Sequence, residues 1–182
     1  MNFVEPIRDP AVVEDIANYL RSGSERNYIM FLTGIYTALR ITDILSLKVY
    51  DVKNKNHIKL REKKTGKQRI IELNPLLKKA LNNYVKDKDP EEYLIKSRQS
   101  HNKPIDRSMA YKILQNAARE FHLENVGTHT LRKTFGYHYY TQTKDIASLM
   151  KILNHSRQTD TLRYIGIEQE HLNKSIKHFR IY

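Results

Sequence analysis

The sequence predicts a mainly α fold (α+β), with one small antiparallel β-sheet or hairpin around residues 57–73. Three observations carry this reading. Apolar residues recur at three- and four-residue spacing through most of the chain. β-favouring residues gather only in "HIKLREKKTGKQRIIEL", on either side of a basic, glycine-containing middle. Helix-start signals such as Asp9 followed by Pro10 precede the apolar stretches.

Taken in order, "DPAVVEDIANYL" opens on that Asp9–Pro10 pair and puts Val12, Val13, Ile16, Tyr19 and Leu20 at helical spacing. "NYIMFLTGIYTAL" is apolar on almost every side, which suits a central buried helix ending at Arg40. "ITDILSLKVYDV" continues as a short helix and a turn, and the β element follows with "KKTGK" at its tip. "PLLKKALNNYV" carries an apolar face of Leu76, Leu77, Ala80, Leu81, Tyr84 and Val85. "IDRSMAYKILQNAAREF" does so with Ala110, Ile113, Leu114, Ala117, Ala118 and Phe121. In "THTLRKTFGYHYY", Thr128 is read as the N-cap, and "KDIASLMKIL" forms the next helix. The last, "EQEHLNKSIKHF", aligns Leu172, Ile176 and Phe179 on one stripe, and "KSRQSHNKPIDRS" is the one long polar, basic loop.

A chain of 182 residues, 40% hydrophobic, is one domain with a real core. No apolar run approaches the roughly 18 residues of a membrane span, and "MNFVEPIRDP" has neither the basic start nor the apolar stretch of a signal peptide. The absence of cysteine excludes disulfides and thiolate metal sites, and makes a reducing cytoplasm the simplest home. Lys and Arg number 32 against 20 Asp and Glu, a net charge of +12 that favours a polyanionic partner, nucleic acid first. Two-metal chemistry needs clustered carboxylates. Only Asp43 and Asp51 lie near the basic stretches, so neither metal nor cofactor is expected.

A tyrosine that attacks a phosphodiester has a hydroxyl with a pKa of about 10 and needs help. The transition state gathers negative charge on the non-bridging oxygens, and the leaving 5′ oxygen needs a proton. Fixed cations and a general acid are therefore required. The chain offers Arg40, whose guanidinium grips phosphate in a planar, bidentate way. Lys64, at the tip of "KKTGK", can bring an ammonium to the leaving oxygen, and Lys63 is its immediate rival. His129 and Arg132, three residues apart, share a helix face at the positive end of the dipole. His155 precedes Tyr164 by 164 − 155 = 9 residues, with Ser156 or Thr159 able to cap a helix between them. Beside Leu162 and Ile165, Tyr164 also reads as an ordinary core aromatic; it is the ordered set that argues for chemistry.

The stretches "ALRITDIL", "HTLRKTFG" and "LNHSRQTDTLRYIGI" resemble the signature boxes of the tyrosine recombinases, the phage integrase and Xer-type family. The resemblance covers nearly the whole chain. It implies a helical catalytic domain with a small sheet, acting on double-stranded DNA as a tetramer and monomeric when free. It makes Arg40, His129, Arg132 and His155 catalytic, with Asp43 supporting the first box and Lys64 the general acid. Tyr164 becomes the nucleophile, forming a 3′-phosphotyrosyl link and releasing a 5′-hydroxyl. The helix beginning at "PIDRSMAYKIL" aligns with the family's major-groove helix, which makes Arg107, Ser108 and Tyr111 base-reading candidates. Lys67, Arg69, Lys133 and Arg157 are candidate phosphate contacts.

Relatives carry an N-terminal core-binding domain, and some an arm-binding domain; here residues 1–182 read as the catalytic domain alone. An excised fragment and a naturally short protein are both consistent with that. The terminal stripe can dock on a neighbouring protomer or fold back in cis. Two alternatives share the fold: a type IB topoisomerase, and a DNA-binding regulator that has no need of Tyr164.

Overall fold

The computed structural model describes residues 4–99 and 101–181. Helix α1 (Pro10–Gly23) starts where the sequence says it should. The Asp9 carboxylate accepts from the Ala11 amide at 2.8 Å and Pro10 takes the first turn. Ile16, Ala17 and Leu20 turn inward, and Tyr19 meets Phe121 edge-on at 5.9 Å. Helix α2 (Glu25–Thr37) is the hub of the fold, packed against α1, α4 and α6, with Ile29 through Gly34 buried.

Helix α2 stops at Thr37, three residues short of the expected Arg40, because Ala38 adopts a left-handed conformation with φ 54°. A four-residue helix, α3 (Ile41–Ile44), restarts the chain, and a 3₁₀ turn (Val49–Asp51) follows. Strands β1 (His57–Arg61) and β2 (Gln68–Glu72) then pair antiparallel, with Ile58 opposite Ile71 and Leu60 opposite Arg69. Ile58 is buried and ties the hairpin to the main core. Gly66, at φ 67°, makes the turn that an L side chain would resist.

The helices α4 (Pro75–Val85) and α5 (Arg107–Glu120) begin at Asn74 and Asp106, whose side chains cap Leu76 and Met109. Leu76, expected on the apolar face, is half exposed because it sits in the first turn, at the rim of the stripe. The long polar loop ahead of α5 contains residue 100, which lies outside the described residues. Helix α6 (Thr130–Thr143) crosses α2 at very close range. A methyl group on Gly34 would lie 2.5 Å from Leu131 Cδ1, so only glycine permits the approach.

Thr128 is buried but does not cap α6; the turn ahead of it is closed by Thr130, whose hydroxyl accepts from the Gly127 amide at 3.0 Å. Helices α7 (Ile146–Leu153), α8 (Gln158–Tyr164) and α9 (Ile167–His178) complete the chain. A second, smaller core gathers Ala38, Leu149, Leu153, Ile165 and Ile167. Leu172, Ile176 and Phe179 stay 53%, 72% and 71% exposed, so the terminal stripe does not fold back in cis. Among the described residues, no helix is long and apolar enough to cross a membrane.

Candidate active site

The left-handed Ala38 sets the site's first arginine. After it the backbone runs extended through Arg40, which caps α3 instead of ending α2. A left-handed alanine costs on the order of 1–3 kcal/mol and persists only where its surroundings hold it. The Arg132 guanidinium supplies the hold. It is 97% buried in α6 and donates to the Ala38 carbonyl and, at 2.7 Å, to the Leu153 carbonyl at the end of α7. One side chain thus ties together the ends of two helices, and its position is fixed before any substrate arrives. Burial pushes its guanidinium pKa down, and nearby Tyr164 works the other way.

Arg40 points at a carboxylate that sequence reasoning did not single out. Glu62, 1% exposed, accepts from Arg40 at 2.8 Å, Arg69 at 3.0 Å and the Thr65 hydroxyl at 2.7 Å. Burial alone would push this carboxyl up; the bonds from Thr65, Arg40 and Arg69 outweigh it and hold it near 2. The signal in the sequence was slight: Glu62 is the one acid between Arg61 and Lys67. Asp43, fully buried, fixes the same loop by accepting from the Lys63 amide at 2.9 Å, and its other oxygen has no protein partner.

The Glu62 pair makes a pH-dependent contribution of known sign. A carboxylate held near 2, against an ordinary 4.5, contributes about 3 kcal/mol of stability that is fully present above pH 4.5. That contribution is lost as pH falls through 4.5 towards 2. Glu62→Gln should therefore be less stable than the parent at pH 7 in urea denaturation, with the gap closing below pH 4.5. A gap that does not change with pH would show that Glu62 is not ionised in the fold.

Arg40, Lys63, Lys64, Arg107, Thr128 and His129 line an open cleft of about 350 Å³. Both hairpin lysines are exposed there, and Lys67 reaches across to Asn154, at the end of α7, at 2.7 Å. Desolvation, with the cations Arg107, Arg132, Arg40 and Lys133 around it, pushes the His129 imidazole below its usual value. Arg107, Ser108 and Tyr111 are exposed at the start of α5, and Arg107 joins the cleft wall.

On the other side stands the α7–α8 junction. Arg157, rather than Ser156 or Thr159, occupies the N-cap of α8, and it pairs with Asp160 at 2.9 Å on the surface. The Thr161 hydroxyl donates back to the Arg157 carbonyl, so His155 Nδ1, 3.1 Å away, is the donor to Thr161 Oγ1. Burial and then Arg132 push the His155 imidazole down, leaving a neutral ring with Nε2 unprotonated. That ring meets Tyr164 edge-to-face at 5.1 Å and 84°. Burial pushes the Tyr164 phenol up, while Arg132 and Arg40 oppose the rise. Arg40 and Arg132 thus lie within electrostatic reach of His129, His155 and Tyr164 alike, and of these five residues Arg40 and His129 line the open cleft.

Two of the candidate phosphate contacts face elsewhere. Arg69 turns in to Glu62. Lys133 is buried, donating from Nζ to the Val4 carbonyl at 2.7 Å, with its ammonium 5.2 Å from the centre of the Tyr164 ring. Its helical phase points it at the N-terminal segment, which no local pattern discloses.

The profile described as the phage integrase family matches residues 8–171. The chain belongs to the phage integrase family. A probable integrase/recombinase of Bacillus subtilis strain 168, YoeC, is 48% identical over 98% of both chains. A tyrosine recombinase of Pseudothermotoga lettingae is 27% identical; the match covers 91% of this chain but 62% of that one. Among solved structures, the XerA recombinase superposes with a TM-score of 0.77 at 21% identity, over 99% of this chain and 66% of the other. XerH bound to its difH substrate, in a post-cleavage complex, gives 0.70 at 17% identity, over 98% and 54%. This phage integrase family chain thus spans the length of YoeC and about three fifths of the longer relatives.

Proposed function

We propose that the protein is a site-specific DNA recombinase or integrase that cuts and rejoins double-stranded DNA in the bacterial cytoplasm, without metal or cofactor. The observation that supports this best is the placement of Tyr164. It lies against a neutral histidine and within the electrostatic reach of two arginines, one of them anchored by two helix ends. In the reaction the Tyr164 oxygen bonds to phosphorus as the phenolic proton passes to solvent water. The bond to the 5′ oxygen breaks, and that oxygen takes a proton from Lys64 or its neighbour Lys63. Arg40, Arg132 and His129 hold the non-bridging oxygens, while His155 steers the ring. Attack by a free 5′-hydroxyl on the phosphotyrosine reverses the step and conserves its energy.

Arg107, Ser108 and Tyr111 are placed to read base edges at the start of α5. Lys67 and Arg157, both exposed, bear on the backbone. The exposed stripe of α9 docks on a neighbouring protomer, building a tetramer on DNA from free monomers. XerH and the λ integrase dimer, both described on DNA, support the DNA-binding part of this reading.

The test is incubation, in EDTA, with nicked duplexes carrying candidate attachment sites, followed by denaturing electrophoresis. A denaturation-resistant protein–DNA adduct is expected. Specific binding with no adduct on any nicked substrate would refute strand transfer in favour of a regulator.

A further inference from the structure

Lys133 sits where two otherwise separate parts of the chain meet. Residues 4–8 run along one face of α6. The Ile7 amide donates to the Thr134 hydroxyl at 2.9 Å, and His138 Nε2 donates to the Ile7 carbonyl at 2.9 Å. The Arg8 guanidinium lies 5.7 Å from the Tyr137 ring, and the Glu5 amide donates to the Asn125 carbonyl at 2.9 Å. Positions 133, 134, 137 and 138 are neighbours on a helix surface, so the segment is a strap laid along it. A second contact reaches the α8–α9 junction. A methyl group on Gly166, two residues past Tyr164, would lie 2.7 Å from Arg8 Nη2.

We propose that Lys133 is a positioning residue for Tyr164, held by the Val4 carbonyl of the strap so that its ammonium, together with His155, fixes the tyrosine ring. The inference rests on Tyr164 being the nucleophile. With His155 on an edge and Lys133 within cation–π distance, the ring has two fixed neighbours of different chemistry. A cation beside the ring also favours charge developing on the phenolic oxygen. Because the amine is spent on Val4 and Tyr164, it is not offered to DNA as a phosphate contact. The strap thereby becomes part of the nucleophile's support, although Val4 and Lys133 are 129 residues apart in sequence.

The test compares the full chain with Lys133→Met and Lys133→Arg on a nicked duplex, reading single-turnover adduct formation against pH and DNA affinity against salt. Lys133→Met should slow adduct formation about tenfold at saturating DNA and move its rising limb to higher pH. Affinity and its salt dependence should be unchanged, and Lys133→Arg should recover part of the rate. A weakened affinity with a salt slope reduced by about one, at unchanged rate, would make Lys133 a phosphate contact and overturn the proposal. Unchanged rates would overturn it too. If the parent forms no adduct, the recombinase reading fails and takes this one with it. Should Lys133→Met not fold, a chain shortened to start with Met in place of Glu5 lacks the Val4 carbonyl but keeps Lys133. It should be slowed to the same degree, and parental rates in that chain would overturn the proposal.

Discussion

Replacing Tyr164 by Phe should abolish the covalent adduct while leaving DNA affinity within about twofold. The substitution removes one oxygen and keeps the ring, so the edge-to-face contact with His155 and the cation of Lys133 both survive. The lost hydroxyl, which bonds the Arg132 guanidinium, costs about 1–3 kcal/mol of stability. If Tyr164 is the nucleophile, its phenolic oxygen is the phosphoryl acceptor, so the effect on cleavage should be total. Binding by gel shift and adduct by denaturing gel separate the two quantities. Persistence of the adduct in this variant would place the nucleophile elsewhere and dismantle the assignment of Tyr164.

Arg132→Ala should have nearly as large an effect on cleavage, and a far larger one on the fold. If Arg132 stabilises the developing charge as proposed, removing its guanidinium should cost on the order of 10²–10³-fold in rate. It also strands the Ala38 and Leu153 carbonyls in the interior, at about 1–3 kcal/mol for each unsatisfied group. Urea denaturation should show the stability loss, and single-turnover cleavage at saturating DNA the rate loss. Arg40 lies two residues beyond Ala38, so loosening the left-handed turn also misplaces Arg40. Arg40→Ala and Arg132→Ala should therefore combine less than additively. Full additivity, or near-parental cleavage in Arg132→Ala, would disprove this arrangement.

What could be read from the sequence was whatever local chemistry decides. The Asp9–Pro10 start, the hairpin with its glycine turn and the apolar stripes of α1, α4 and α5 follow from spacing and capping alone. The ordered basic boxes pointed to the family, which the profile over residues 8–171 bears out. Illegible features depend on partners distant in the chain. Nothing near Ala38 announces a helix break; the break is held by Arg132, 94 residues on. Glu62 looks like a solvated acid until the hairpin packs beneath Arg40, 22 residues away. Lys133 reads as surface charge until the N-terminal strap covers it. The misjudged caps at Thr128 and at Ser156 or Thr159 have a simpler cause. Both helices take their N-cap one residue past an expected hydroxyl, at His129 and Arg157, with no side-chain cap bond, a boundary shift that local sequence does not decide.

The Glu62 cluster also sets the local charge balance around Arg40. Arg40 and Arg69 bring two positive charges and Glu62 one negative, so a single net charge is left over. A phosphodiester carries one negative charge, and seating it beside Arg40 brings that group to neutrality. The pentavalent state on the way to phosphotyrosine bears more negative charge than the ground state does. On the recombinase reading that surplus falls to Arg132 and the hairpin lysine, to which Glu62 makes no ion pair. An internal counter-ion of this kind trims the charge around Arg40 to one unit and, on that reading, leaves Arg132 and the hairpin lysines to answer the charge that appears only during bond exchange.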